Sequence, residues 1–375
     1  MDFSFTEEQS ALRELARKIL EEQATPERIR EIERGEDRLD RALWRELAKA
    51  NLLGVALPER CGGSGYGFFE LCLLLEEVGR VVAPIPAWPT LVLGALPLAE
   101  FGTGEQQQRL LPGVAAGELI LTGALSEPEN DDALRPTTRV APEAGAHRLT
   151  GTKICVPAAH AAARVLVPAA ASDGRVQLFL VDPRGSGVRL ETQVATNREL
   201  QARMILDGAR VPEHDRFGSL DDASAALAWT LARATTALCA IQVGVADRVL
   251  RMTARYTSER QQFGRPIGSF QAVHQRAADA FIDVEAMRLV SWQAAFRLAC
   301  GEPAAAEVAV AKFWAAEAGH RVAYAAQHLH GGIGVDVDYP VHRYYLWARQ
   351  IELTLGSAAP QLETLGRLLA EAPGC

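Results

Sequence analysis

Apolar positions in the first third of the chain recur at the spacing of a helix face. Leu12, Leu15, Ala16, Ile19 and Leu20 form one such stripe, and Thr6 with Gln9 supplies a capping box in front of it. A second helical pattern runs through Leu43, Leu47, Leu52 and Leu53, and a third through Phe69, Leu71, Leu74, Leu75 and Val78. Between these two lies Cys61-Gly62-Gly63-Ser64-Gly65-Tyr66-Gly67. No strand pattern precedes this stretch and no Lys-Ser/Thr follows it, so it reads as a flexible turn rather than a phosphate cradle. From 118 to 215 the texture changes to short β-prone runs: Leu119–Thr122, Arg164–Val167, Val176–Val181 and Met204–Leu206. Asp182-Pro183, Asp207-Gly208 and Val211-Pro212 punctuate them. Beyond 220 long helical patterns return, with Val245, Val249, Met252 and Tyr256 on one face of a helix that ends just before Arg260. An alanine-rich segment from Pro303 to His328 also favours helix. The pattern predicts three domains, helical over 1–117, a β domain over 118–218 and helical again over 219–375.

Length and composition set limits on what such a chain can be. At 375 residues and 48% hydrophobic, it is long enough for two or three domains around a large core. A net charge of −8 with both signs interspersed offers no basic stripe for nucleic acid. The apolar run Val92–Ala99 is too short to span a bilayer and the acidic N-terminus lacks a signal-peptide pattern, so the expectation is a cytoplasmic protein. Six cysteines, at 61, 72, 155, 239, 300 and 375, show neither metal-ligand spacing nor a disulfide rhythm and read as reduced thiols. His328 and His330 sit two apart, but with no carboxylate or Cys partner in sequence they argue for no metal.

The most informative stretch is Arg260-Gln261-Gln262-Phe263-Gly264-Arg265-Pro266-Ile267-Gly268-Ser269. It sets two permanent cations around an aromatic ring at a helix break. An arginine fork suits a pyrophosphate and a Phe face suits a purine or flavin ring, although a solvated helix end with an anchoring Phe has the same local chemistry. The run continues into Phe270-Gln271-Ala272-Val273-His274, and later come His328-Leu329-His330-Gly331-Gly332-Ile333-Gly334 and Asp338-Tyr339-Pro340. With Phe3–Gln9, Leu57–Gly65 and Leu125-Ser126-Glu127-Pro128, these motifs run in order along essentially the whole chain. They resemble the acyl-CoA dehydrogenase family of flavoproteins.

That resemblance implies an α+β, mainly α, fold: an N-terminal helical domain, a central small β-barrel or β-sheet domain, and a C-terminal four-helix bundle. It implies bound FAD and α,β-dehydrogenation of an acyl-CoA thioester, in which a carboxylate removes the α proton while the β hydrogen leaves as hydride. Arg260, Phe263, Gly331 and Gly332 match the family elements that hold the ADP end of FAD bound mainly to a neighbouring subunit, and His328 stands where the family usually has Gln. Leu125 and Ser126 match flavin or substrate neighbours. In Lys153-Ile154-Cys155-Val156-Pro157, Cys155 and Pro157 replace a usual Trp and Thr, and proline brings neither N–H nor hydroxyl to the ring edge. The base is missing from both family positions. One is Leu355, in Leu355-Gly356-Ser357, and the other is Ala234. Glu352, Glu259 and Glu285 are nearby acids that surface or salt-bridge roles explain, Glu352 being the weak alternative base.

A chain that keeps the half-site given to a neighbour and loses the one at its own centre resembles the base-lacking subunit of bacterial α2β2 enzymes acting on sterol side-chain CoA thioesters. Its expected partners are an acyl-CoA substrate, a homologous subunit and an electron-transfer acceptor, with neither nucleic acid nor membrane insertion. Two alternatives stay open: a self-sufficient homotetramer drawing its base from Glu352 or Glu127, and a flavin-free binding or scaffolding protein on the same fold.

Overall fold

The computed structural model describes residues 4–371, so Phe3 and Cys375 lie outside the described residues. The helices α1 (Glu7–Gln23), α2 (Pro26–Arg34), α3 (Arg41–Lys49), α4 (Phe68–Val81), α5 (Leu96–Phe101) and α6 (Gly104–Ala115) come first. A π-helical stretch, Trp88–Ala95, runs directly into α5. Next come the strands β1 (Leu121–Gly123), β2 (Arg139–Glu143), β3 (Ala146–Pro157), β4 (Arg164–Ala170), β5 (Val176–Val181), β6 (Val188–Val194) and β7 (Leu200–Pro212). The chain then forms α7 (Ser224–Glu259), the hairpin β8 (Gln261–Gln262) and β9 (Arg265–Pro266), α8 (Gln271–Ala299), α9 (Ala305–His330), α10 (Val341–Leu353) and α11 (Ala358–Glu371). This is the helical, β, helical order that the residue pattern predicts.

Local chemistry explains the element ends. Thr6 and Gln9 form the reciprocal capping box at α1, and Thr103 with Gln106 forms a second at α6. The apolar stripe beyond Asp40 does not stay helical as far as Leu52 and Leu53. Helix α3 stops at Lys49, and Asn51 takes a left-handed φ of 57°, turning the buried Leu52 and Leu53 out of the helical path. The glycine-rich turn is laced to the segment before it: Gly63 N–H donates to Pro58 O, Ser64 to Gly54 O and Tyr66 to Val55 O. A side chain at Gly63 would lie 2.1 Å from Leu57 O, so glycine here serves close backbone approach.

By contact density the chain divides into two compact units. One comprises Arg30–Leu71 and Pro84–Ala234 and holds the sheet. Its backbone is the long β3–β7 antiparallel pair, extended by β6 on β7 and by β2 on β3. Strand β5 pairs along β4, leaving the other edge of β4 to be shared end to end by β1 and β2, both parallel to it. Leu149, Val156, Val165, Val167, Phe179, Met204 and Val211 fill the core under the sheet. Asp207-Gly208 does not end a strand. Strand β7 passes through it with Gly208 at φ 60°, where the register shifts opposite Leu149 and Gly151.

The other unit comprises Met1–Ile29, Cys72–Ala83 and Thr235–Cys375. Its α4 and α7 segments touch backbone to backbone: an added Cβ at Gly79 would stand 2.1 Å from Ile241 O, and one at Gly244 would stand 1.9 Å from Glu76 O. Around that contact lies a buried ionic network. Arg13 bonds Glu76 and Glu77 at 2.8 Å each, and Arg17 bonds Glu77 at 2.7 Å. Arg288 bridges Glu76 at 2.5 Å and Asp247 at 3.0 Å, while Arg80 pairs with Asp247. Burial opposes the charge on Asp247, but Arg251, Arg80 and Arg288 hold its carboxyl below the usual range. Among the described residues, α7 is long and apolar enough to cross a membrane, and the fold buries 67% of its most apolar window.

The glycine contact generates a pair of opposite predictions. Gly244→Ala puts a methyl into the Glu76 carbonyl and should cost about 1–3 kcal/mol or more. Gly366 on α11 has open space at its Cβ position, so Gly366→Ala should gain roughly 0.5–1 kcal/mol. Denaturant melts of both variants check the two signs.

Candidate cofactor site

In the helical unit, two of the sequence-predicted pieces come together at the ends of α7 and α9. Tyr256, one turn before Arg260, stacks on His330 with ring centroids 4.4 Å apart, and Arg260 N–H donates to Tyr256 O at 2.8 Å. His330 immediately precedes Gly331 and Gly332. Arg260 and Phe263 therefore share one end of the unit with His328, Gly331 and Gly332.

The hairpin that carries Phe263 is built against its own comfort. Gln261 pairs with Pro266 and Gln262 with Arg265, which leaves Phe263 and Gly264 as a two-residue turn with φ 55° and 77°. Two positive φ values define a turn that favours Asn-Gly. A bulky residue held there is strained by about 1–3 kcal/mol. Phe263 is also 92% exposed, which forfeits the burial that normally stabilises a Phe. Arg265 lies over the Phe270 ring at 4.1 Å, whereas the exposed Arg260 guanidinium has no ion-pair partner among the described residues. A displayed ring beside an unpaired fork is a surface that gains by binding a planar, anionic ligand.

The glycine turn complements it. Gly331 closes α9 with φ 64°, and an added Cβ at either Gly331 or Gly332 would meet nothing within 4 Å. Both are exposed, so their backbone is open to close approach by a ligand. His328 is exposed and its Nδ1 lies 2.9 Å from Arg276, while the buried His330 bonds Ala326 O through Nδ1 at 2.8 Å. The residues present thus fit the adenosine diphosphate end of a dinucleotide.

Leu355, which the resemblance matches to the family's base position, lies in the turn after α10 at φ 56°, followed by Gly356 at φ 91°. The last turn of α10, just before it, is held by Lys312. Fully buried, it donates to Ile351 O at 2.6 Å and Glu352 O at 3.2 Å, occupying carbonyls at the helix end where a cation is favoured. Burial pushes the Lys312 ammonium down to about 8. Lys312 has no signal in the sequence beyond its place in an alanine-rich helix, so reasoning from sequence missed it. The Glu352 side chain is occupied by Arg349 and lies 3.3 Å from His320.

In the sheet unit, Leu125 is buried and Ser126 half-buried. The Ser126 carbonyl accepts the Ile154 N–H at 3.0 Å, which ties their segment to the stretch carrying Cys155 and Pro157. Cys155 is exposed at φ 53°, in the register shift between Lys153 and Val156. Glu127 is buried and accepts from Lys153 at 2.7 Å, from Thr138 N at 2.9 Å, from Thr137 and from Asn130. Burial opposes its charge, but the Lys153 ammonium and these donors hold its carboxyl far below the usual range. Lys153 itself is fully enclosed, and burial pushes it down to about 8. In the same unit, Ala234 is enclosed and its carbonyl accepts Trp88 Nε1 at 3.0 Å.

The family model for the acyl-CoA dehydrogenase N-terminal domain matches residues 6–118, and that for the C-terminal domain matches 225–370. Acyl-CoA dehydrogenase FadE27 of Mycobacterium tuberculosis is 42% identical over the full length of both chains. The chain belongs to the acyl-CoA dehydrogenase family. Among solved structures, the ChsE4-ChsE5 complex from Mycobacterium tuberculosis aligns at TM-score 0.94 with 42% identity, covering 100% of each chain. A variant of the Tcur3481-Tcur3483 steroid ACAD aligns at TM-score 0.91 with 49% identity, covering 97% of this chain and 98% of that one. The cofactor of this oxidoreductase is accordingly FAD, and the open glycine turn with the displayed Arg260 and Phe263 fits it.

The Glu127 cluster yields a test of its own. Glu127→Gln leaves the Lys153 charge buried without its carboxylate and should cost about 3–5 kcal/mol. Glu127→Gln combined with Lys153→Met should recover much of that loss in a denaturant melt.

Proposed function

We propose that this chain is the base-lacking subunit of a heteromeric, FAD-dependent acyl-CoA dehydrogenase, acting in the cytoplasm with a homologous subunit that carries the base. The single observation behind this reading is Leu355, in the turn just after the helix end that Lys312 holds, where the resemblance places the family's glutamate. A leucine takes no proton, and the alternative family position is Ala234.

The acids suggested as relocated bases are already engaged. Glu352 is tied to Arg349 and His320, and Glu127 is buried under five donor atoms with its proton affinity depressed. A general base works best with a pKa near the operating pH, and Glu127 is pulled the opposite way. Arg260 and Phe263 support the other half of the reading, since both are displayed outward and suit the diphosphate and adenine of a cofactor shared with a neighbour.

An apolar stripe supports a partner chain. Ile282, Leu289 and Phe296 stand exposed at seven-residue spacing along α8, on a face that solvent alone would not favour. The paired names of the ChsE4-ChsE5 complex and of the Tcur3481-Tcur3483 steroid ACAD fit such an assembly, and the latter favours a steroid CoA thioester as substrate. Bound FAD supplies the hydride acceptor. Arg260 would hold its diphosphate, and Gly331 and Gly332 leave backbone room for it. The partner's base removes the α proton, and an electron-transfer acceptor reoxidises the assembly.

Arg260→Ala should weaken FAD retention by roughly 1.5–3 kcal/mol, read as flavin lost on dialysis of the co-expressed assembly. Unchanged occupancy contradicts the assignment. The chain alone, loaded with FAD, should bleach its flavin at least about 10²-fold more slowly with steroid, branched or straight-chain CoA thioesters than the co-expressed pair does. Rapid bleaching by the chain alone that Glu352→Gln abolishes would overturn the proposal in favour of a relocated base.

A further inference from the structure

The stack between Tyr256 and His330 joins the only two described segments that the cofactor reading assigns to the ADP end, and neither the family match nor the motif reading gives His330 a role. Its ring is buried, parallel to Tyr256 within 22°, and tilted against Tyr339 at 5.5 Å. Because a carbonyl can only accept, the contact from Nδ1 to Ala326 O puts the proton on Nδ1. The Nε2 lone pair is then buried with no hydrogen-bond partner. The turn after His330 is packed closely on it: a Cβ at Gly334 would lie 3.1 Å from the His330 Cβ. The ring therefore packs on Tyr256 at the end of α7 while its backbone leads directly into the Gly331–Val335 turn, so the one residue links the two segments.

We infer that His330 is a positioning residue for the cofactor's ADP end, holding the Arg260–Phe263 hairpin in register with the Gly331-Gly332 turn only while its imidazole is neutral. This rests on the reading that Arg260 and the glycine turn hold FAD. A proton can enter the ring only at Nε2, which faces no acceptor. Around it stand Tyr256 from α7 and Tyr339 from the segment before α10. Arg255 and Glu259, which act on Tyr339, neutralise each other in an ion pair of 2.9 Å. No carboxylate bonds to the His330 ring among the described residues. A buried imidazolium is relieved by swinging out of the stack, and the hairpin then loses its register with the glycine turn.

The sign follows from linkage. Burial lowers the His330 pKa below its ordinary value, so the neutral, stacked form dominates at neutral pH, and its contribution is lost as pH falls through the lowered value. FAD affinity should therefore weaken on the acid side, by up to about tenfold per pH unit below that value.

The test measures the FAD dissociation constant of the co-expressed assembly across an acid-to-neutral pH series, with FAD itself as probe and flavin fluorescence as readout. The parent assembly should show the acid limb. His330→Phe keeps an aromatic ring on Tyr256 but takes no proton, so it should bind FAD near the parent affinity at neutral pH and lose the limb. His328→Gln, which changes the exposed neighbour bonded to Arg276, should keep it. An acid limb unchanged in His330→Phe overturns the inference, and so does a parent assembly whose affinity is flat with pH. If Arg260→Ala leaves FAD affinity unaltered, the underlying site reading fails instead.

Discussion

The helical unit depends on pairing three buried carboxylates. Glu76, Glu77 and Asp247 are almost wholly enclosed, and a buried charge without a partner costs several kcal/mol, so the arginines that reach them fix where their elements lie. Arg13 and Arg17 bring α1 to α4, Arg80 joins α4 to α7, and Arg288 ties α8 to both. The glycines at 79 and 244 make this possible by letting the α4 and α7 backbones touch. With α7 and α8 so anchored, the hairpin between them has a fixed base from which to present Phe263 in a strained turn.

Much of this was legible in the chain, and what was not has a physical reason. Periodicity located α1, α4 and α7 and alanine propensity located α9, while the Thr6 and Gln9 capping box marked where α1 begins. Strands β2, β3 and β6 escaped notice because their sequences mix Arg, Glu, Thr and Gly with few apolar residues. Their ladders are closed by distant partners rather than by local propensity. The apolar pattern outran helix α3, which stops at Lys49, since Leu52 and Leu53 are buried from a turn, where burial follows no helical period. The ionic network could not be read at all: Glu76 and Arg288 are 212 residues apart, and each looks like an ordinary surface charge in sequence.

The site divides the same way. Arg260, Phe263, Gly331 and Gly332 were visible as motifs, and the structure adds that Phe263 is displayed at positive φ and that the glycine turn is open. Lys312 was hidden, because a lysine in an alanine-rich helix gives no hint that it turns inward to carbonyls near Leu355. Glu127 was legible as an acid but not as the centre of a buried cluster, and that difference removes it from the list of bases. The pattern is one of retained scaffold and absent chemistry. On the proposed reading, strain and exposure persist where a cofactor would be shared, and a leucine stands where the resemblance places the reactive carboxylate.

The ratio of flavin to protein chains tests this account most directly. Native mass spectrometry of the assembly formed with a base-carrying homologue, alongside flavin absorbance, should give one FAD for each pair of unlike chains, with the pure chain retaining little. One tightly held FAD per chain in a homo-oligomer of this protein alone would contradict it.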